Sequence, residues 1–203
     1  MHPPVSPTGR GSGAALRCSE PQAPRNREMT DAAESNPRIY VACLAAYNSG
    51  YLHGAWIDAD QDTDEIRAEV AAMLSRSPIE GAEEYAIHDY EGFEGVAIEE
   101  YAGIENVARI AAFVAEHGAL GAGLLNEFVG DIDQAETAMR DCYHGQFTSL
   151  ADYMEELTAE TVTIPEALRY YIDWQAMARD AELGGDLFTV ETAHDEVHVF
   201  SRR

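Results

Sequence analysis

The chain has 203 residues, of which 46% are hydrophobic, enough for one or two domains with a packed core. Its charge is lopsided, because 37 acidic residues face 13 basic ones and the formal net charge is -24. A nucleic-acid backbone would repel such a protein, which excludes nucleic-acid binding as a default. All 13 basic residues are arginines, so no lysine is present for a P-loop, a Schiff base or an amine nucleophile.

The cysteines and the apolar runs indicate a cytoplasmic protein. Cys18, Cys43 and Cys142 fit neither a disulfide framework nor paired zinc ligands, so we expect free thiols in a reducing compartment. No run reaches the roughly 18 consecutive apolar residues of a membrane span. The N-terminus also lacks the apolar core of a secretory signal.

The first segment in chain order, residues 1–36, holds five of the eight prolines and no aromatic residue. Such a composition cannot bury enough apolar surface to offset the entropy lost on ordering, which predicts a disordered N-terminal extension. Met29 is a plausible alternative start of the protein.

Residues 37–96 are predicted to form a small α+β N-terminal domain. Alternating β-formers from Ile39 to Tyr47, a turn at 48–50 and a second run at 51–58 predict a β-hairpin. An amphipathic helix is expected over 63–75, with Asp62 and Glu65 in capping-box spacing, and a third strand over 84–90.

Residues 97–142 are predicted to form a helical middle domain. Apolar residues recur at helical spacing from Ile104 and stop at Gly118, which is typical of a helix C-terminus. Two further helices are expected over 119–129 and 132–142, the latter entered through Asp131.

Residues 143–203 are predicted to form an α+β C-terminal domain. We expect one helix over 149–160, a long helix from Pro165 to Leu183 ended by two glycines, and strands over 186–191 and 196–200. The fold class is therefore α+β, with two α+β ends around a helical middle and an elongated shape.

One acidic stretch has nearly the spacing of a calcium loop. Asp58, Asp60, Asp62 and Glu69 occupy positions 1, 3, 5 and 12 of such a loop. Thr63, however, stands where the sharp turn requires glycine, and a strand rather than a helix precedes the loop. Capping of the following helix and a role in charge mimicry are the competing interpretations.

Three residues near the C-terminus could in principle ligate a metal. His194, Glu196 and His198 would share one face of the final strand. Their order differs from the His-Glu-x-x-His of metalloproteases, and solvent-facing side chains on an edge strand are the simpler interpretation.

No motif supports an enzyme. There is no Gly-x-Ser-x-Gly elbow, and Gly118, Gly121 and Gly123 lack dinucleotide-binding spacing. Acidic pairs are too frequent for any one of them to indicate general acid–base chemistry. We expect no catalytic residues, no resident metal and no cofactor; a metal-dependent hydrolase is the weakest alternative.

The acidity itself admits two explanations. Solubility or a high-salt habitat is one of them, and imitation of a polyanion is the other. Twenty-four charges correspond to roughly 40 Å of duplex, or roughly 80 Å in a dimer, at the charge density of DNA. Such a surface would compete with DNA for a basic groove without any catalysis.

Several ordered blocks resemble the ArdA antirestriction proteins. They are the segment from Arg38 to Asp58, the segment from Glu84 to Glu91, and the blocks 143–153 and 167–180, followed by Gly185-Asp186. Together they span nearly all of 38–203. The extension over 1–36 and Cys142 are not explained by the family pattern.

The resemblance implies an elongated three-domain DNA mimic, encoded on mobile elements, that binds the methyltransferase core of type I restriction-modification enzymes. It implies a homodimer formed through the C-terminal domain, with no nucleic-acid or membrane partner. An acidic module for another basic DNA-binding protein is the alternative. The residues that we expect to act together as phosphate surrogates are Asp58, Asp60, Asp62, Asp64, Glu65, Glu69, Glu80, Glu83, Glu84, Glu99 and Glu100.

The family's antirestriction motif falls by resemblance within 150–161. Its members here include Leu150, Asp152, Tyr153, Met154, Glu155, Glu156 and Leu157. The four apolar residues recur at helical spacing, which is typical of either a core face or a dimer seam.

Overall fold

Two three-stranded antiparallel sheets and seven helices form residues 36–202, the part of the chain that the computed structural model describes. Helices account for 47% of these residues and strands for 22%, which confirms the α+β class. The predicted extension, the alternative start at Met29 and Cys18 lie outside the described residues. The division into three domains stays a prediction.

The first sheet contains β1 (Arg38–Cys43), β2 (Gly54–Asp58) and β3 (Tyr85–Glu91) in the order β2-β1-β3. It confirms the predicted hairpin and third strand. The first strand is shorter than predicted, because Leu44–Asn48 forms a short helix, α1. Helix-favouring Leu-Ala-Ala begins this turn, and the backbone N–H groups of Ser49 and Tyr51 donate to the carbonyl of Ala46.

The amphipathic helix α2 (Thr63–Ser75) has the predicted bounds. Asp62 caps it by accepting a 2.8 Å hydrogen bond from the backbone N–H of Asp64, whereas the capping-box spacing had pointed to Glu65. Ile66, Val70 and Met73 are buried on the side that faces the sheet. Their burial ties α2 to β1 and β2.

Helix α3 (Ile104–Glu127) contains a break at Gly118, where φ is 55° and ψ is -138°. The predicted division into two helical runs at this glycine is confirmed, since this conformation is open essentially to glycine alone. Among the described residues, only this helix is long and apolar enough to cross a membrane, with a mean hydropathy of 1.2 over a stretch of 18 residues. Half of that stretch, however, is buried inside the protein. Here α3 is the central core helix, and α4 (Ile132–Asp141), capped by Asp131, follows it.

The second sheet contains β4 (Tyr143–Phe147), β5 (Leu187–Ala193) and β6 (Glu196–Ser201) in the order β4-β6-β5. The two last strands were predicted, but β4 was not. The interpretation of the final strand as an edge strand is wrong, because β6 pairs with both neighbours. Four successive residues of β6, Val197 to Phe200, are buried.

Three helices lie between β4 and β5 along the chain. They are α5 (Leu150–Thr161), α6 (Glu166–Arg169) and α7 (Trp174–Gly184). The predicted single helix from Pro165 to Leu183 is therefore wrong. It is interrupted before Trp174, and the side chain of Asp173 caps α7 by accepting a 2.9 Å hydrogen bond from Ala176 N.

Two hydrophobic clusters hold these elements together. The main core runs from the first sheet through α3 and α4 to Phe188, Val190 and Phe200 of the second sheet. A smaller core lies on the opposite face of that sheet, where α5 and α7 cover Val197 and Val199. The second sheet is consequently packed on both faces.

Candidate partner-binding surface

All eleven predicted phosphate surrogates are exposed to solvent. One is the last residue of β2 and two follow it, three lie on α2, three lie in the loop between α2 and β3, and two lie in the loop before α3. The structure thus places every surrogate where a cationic partner could reach it.

One glutamine ties together the segment from Asp58 to Glu69. The amide of Gln61 donates to the backbone carbonyl of Asp58 and to the carboxylate of Glu69, both at 2.9 Å. Asp62 is engaged as the α2 cap. Within residues 36–202, no group of three or more His, Cys, Asp or Glu side chains could hold a metal ion.

A second acidic group surrounds Tyr101, which is 72% exposed. The charge of Glu100, with a hydrogen bond to it, and then the charge of Glu84 raise the pKa of the Tyr101 phenol. The structure therefore brings together Glu84 and Glu100, which are 16 positions apart in the chain. The backbone bond from Ile87 N to the carbonyl of Glu100, 2.9 Å, holds this loop against β3.

Most of the ion-paired arginines connect different structural elements and do not cover the surrogates. Arg38 pairs with Glu91, Arg67 with Glu105 and Asp64, Arg109 with Asp133 and Glu136, Arg140 with Asp141, and Arg202 with Glu127. Of the eleven surrogates, only Asp64 has an arginine partner among the described residues, at 3.3 Å. The other ten keep their charge uncompensated by an ion pair within that part of the chain.

These ion pairs also shift the pKa values of the residues that form them. Arg67 links α2 to the first turn of α3, and the hydrogen bond and charge of Glu105 raise the pKa of its guanidinium. The pKa of Glu105 is lowered, first by a hydrogen bond from its own backbone N–H and then by Arg67. In the same way, Asp133 and Glu136 of α4 raise the pKa of Arg109 on α3.

The three candidate metal ligands near the C-terminus are not arranged on one strand face. His194 lies in the turn before β6 and its side chain is 96% exposed, whereas His198 is buried. The Tyr143 hydroxyl lies 2.8 Å from His198 Nδ1 and the Thr192 hydroxyl 3.2 Å from Nε2, so both ring nitrogens have protein partners. Burial lowers the pKa of His198, partly opposed by the charge of Glu196.

The residues predicted to form the antirestriction motif lie in the first turns of α5. Ser149 caps this helix by accepting a hydrogen bond from Asp152 N, 3.2 Å, and its hydroxyl donates to the Asp152 carboxylate, 2.9 Å. Leu150 and Tyr153 are buried in the smaller core, and Met154 and Leu157 pack against it. The apolar stripe is therefore a core face, while Asp152 and Glu156 are exposed and Glu155 is half-buried.

One exposed carboxylate on the first sheet was not among the predicted surrogates. Asp89 lies on β3 opposite Tyr40 of β1, and its side chain accepts a 2.9 Å hydrogen bond from Tyr90 N. Alternation along β3 could have placed it on the outer face of the sheet. Cys43 and Cys142 are buried free cysteines, as expected, and Cys142 lines a 440 Å³ cavity between α4 and the second sheet.

The fold and this surface define an acidic α+β protein with most of its carboxylates turned to solvent. The model of the antirestriction protein (ArdA) family matches residues 39–196. The chain therefore belongs to the ArdA family, which consists of non-catalytic antirestriction inhibitors. A comparison with curated proteins gives no match.

Proposed function

We propose that this protein is a DNA mimic that inhibits type I restriction-modification enzymes by occupying the DNA-binding groove of their methyltransferase core. The observation that carries the proposal is that all eleven surrogates are exposed, while residues 36–202 give only one of them, Asp64, an arginine partner. Uncompensated anions on a protein surface attract a basic groove and release its bound counterions, as DNA does. Membership of an antirestriction family supports the choice of target.

The active species that we propose is a cytoplasmic homodimer joined through the C-terminal domain, which doubles the length of the anionic surface. No single carboxylate carries the interaction in this proposal. Each exposed charge contributes a fraction of a kcal/mol to about 1 kcal/mol. Inhibition should therefore fade gradually as charges are removed, for restriction and for modification alike, since both activities need the same groove.

The test is competition between the full-length protein and labelled duplex for a type I methyltransferase core over a salt series. We expect stoichiometric displacement of the duplex that weakens steeply as salt rises. A variant with Asp58, Asp60 and Glu65 changed to Asn, Asn and Gln should require more protein for the same displacement. The matched control changes three acids that already have arginine partners, Glu127, Asp133 and Glu136, to Gln, Asn and Gln.

Two results would contradict the proposal. One is a folded protein that fails to displace duplex at low salt, which would make the acidity a solubility trait. The other is equal binding to unrelated basic proteins that do not bind DNA, which would favour a general acidic module. A single Asp→Ala change that abolished inhibition without unfolding the protein would instead overturn the distributed-charge mechanism.

A further inference from the structure

The outer face of the first sheet carries an aromatic cluster that the distribution of acids does not explain. Tyr40 lies directly opposite Trp56 on β2 and Asp89 on β3, and Arg38 lies opposite Asp58 and Glu91. Residues paired across antiparallel strands share a face. These six side chains therefore form one surface, which we call the outer face.

The centre of the outer face is built from three residue types that dominate binding hot spots, Trp, Tyr and Arg. The rings of Tyr40 and Trp56 have centroids 5.5 Å apart. The guanidinium carbon of Arg38 lies 4.9 Å from the centroid of the Trp56 ring, within cation–π range. Trp56 is nevertheless 40% exposed.

Two contacts fix this cluster before any partner arrives. Arg38 forms an ion pair with Glu91 across β1 and β3. Tyr40 folds over Gly54 so closely that a Cβ atom there would lie 2.7 Å from the ring. Side chains that are already held in place lose little conformational entropy on binding.

Of the six side chains of the outer face, four are exposed and two, those of Tyr40 and Glu91, are half-buried. On the opposite face, Ile39, Val41 and Ile57 are buried against α2 and the main core. The second sheet, by contrast, has helices on both sides. A sheet face that keeps Trp and Tyr at a partly exposed centre has the composition of an interface core.

The charges at the edge of the outer face select its partner. Three carboxylates, Asp58, Asp89 and Glu91, surround one guanidinium, that of Arg38, so the face is net negative. Asp58 and Asp89 are exposed. An apolar centre with an anionic rim complements a basic surface that also offers apolar contact, as DNA-binding grooves do.

We infer that the outer face is the anchor by which this protein docks on the basic DNA-binding groove of a restriction-modification enzyme. Trp56 and Tyr40 provide the contact that does not depend on salt, and the surrounding carboxylates orient it. This inference rests on the proposed function, and it adds a specific apolar contact to an otherwise distributed attraction. Charge alone would let the protein slide along any cationic surface.

The experiment compares Trp56→Ala, Trp56→Phe and the control Val129→Ala in the duplex-competition assay at several salt concentrations. Val129, in the turn between α3 and α4, is 93% exposed and lies outside the first sheet. Trp56→Ala should weaken binding of the full-length protein at least tenfold at every salt concentration, without changing the salt slope. Trp56→Phe should restore most of the loss, and Val129→Ala should bind like the wild type.

A double change of Asp58 and Asp89 to Asn should, unlike Trp56→Ala, reduce the dependence of binding on salt concentration. Trp56→Ala that binds within twofold of the wild type overturns the anchor while leaving the proposed function intact. A wild-type protein that fails to displace duplex overturns both. Far-UV circular dichroism and urea unfolding establish that each variant is folded.

Hydroxyl-radical footprinting of the wild type, read by peptide mass spectrometry, tests the anchor without any substitution. We expect Trp56 and Tyr40 to be oxidised in the free protein and protected in the complex with the methyltransferase core. Unchanged oxidation on binding overturns the inference. Two other results would also overturn the inference. Protection of Trp56 and Tyr40 in the free protein would mean that residues 1–35 or a second copy already cover the outer face. Conversion of a dimer to a monomer by Trp56→Ala would mean that a second copy covers it.

Discussion

The two sheets of this protein have the same size and antiparallel pairing but differ in what covers them. The second sheet has α3 and α4 on one face and α5 and α7 on the other. The first sheet buries Ile39, Val41 and Ile57 on one face, whereas on the other Tyr40 is half-buried and Trp56 is exposed. Packing on both faces stabilises the second sheet, whereas the first sheet keeps a face available for a partner.

The largest loss of stability should come from removing a buried aromatic ring from the second sheet, which is packed on both faces. Phe200 is fully buried and stacks on Phe188 at 5.1 Å and on Tyr143 at 5.0 Å. Phe200→Ala should lower the free energy of unfolding by about 3–5 kcal/mol, whereas Trp56→Ala on the open face should cost about 1 kcal/mol. Urea unfolding followed by circular dichroism measures both. Equal losses would show that the outer face is covered in solution.

A smaller effect should come from the close approach of α3 to the second sheet. A Cβ atom added at Gly123 would overlap Val190 Cγ1, whereas one at Gly184 would meet only Asp186 Oδ2 at 3.6 Å. We expect Gly123→Ala to be less stable than Gly184→Ala by about 1–3 kcal/mol, because the helix has no free space on this face. Equal stability of the two variants, measured by urea unfolding, would mean that Val190 moves away from the added methyl group at little energetic cost.

The smallest effect separates the structural and the binding role of one surrogate. Asp62→Ala removes the α2 cap and should cost about 1 kcal/mol of stability, whereas Asp62→Asn keeps a capping oxygen and should cost a few tenths. Both variants lose the same charge, so both should displace duplex slightly and equally less well than the wild type. Unequal displacement by the two folded variants would show that Asp62 binds through its position at the cap.

Local signals in the sequence predicted most of the helices and strands. Asp62, Asp131 and Ser149 cap the helices that were expected after them, and Gly118 breaks α3 where the apolar pattern ends. Such signals act within a few residues, so a single sequence contains them. The acidic surface was also predictable, because charged residues outside ion pairs are seldom buried.

Three features were not predicted, for identifiable reasons. Strand β4 is short, half-exposed and contains Gly145 with φ of 125°, and its pairing with β6 joins residues at least 50 positions apart. The break before α7 is hidden by apolar residues that continue at helical spacing through Tyr170 and Tyr171. The aromatic outer face requires the register of β1 with β2, which composition does not contain.

The position of β6 has a consequence for the synthesis of the protein. This strand is the last of the six that the structure describes, yet it lies between β4 and β5, which do not pair with each other. Until β6 has left the ribosome, β4 and β5 have no strand partner and the Phe188 side of the main core stays open. The second sheet therefore forms only after β6 has been synthesised, and loss of this one strand would remove the whole sheet.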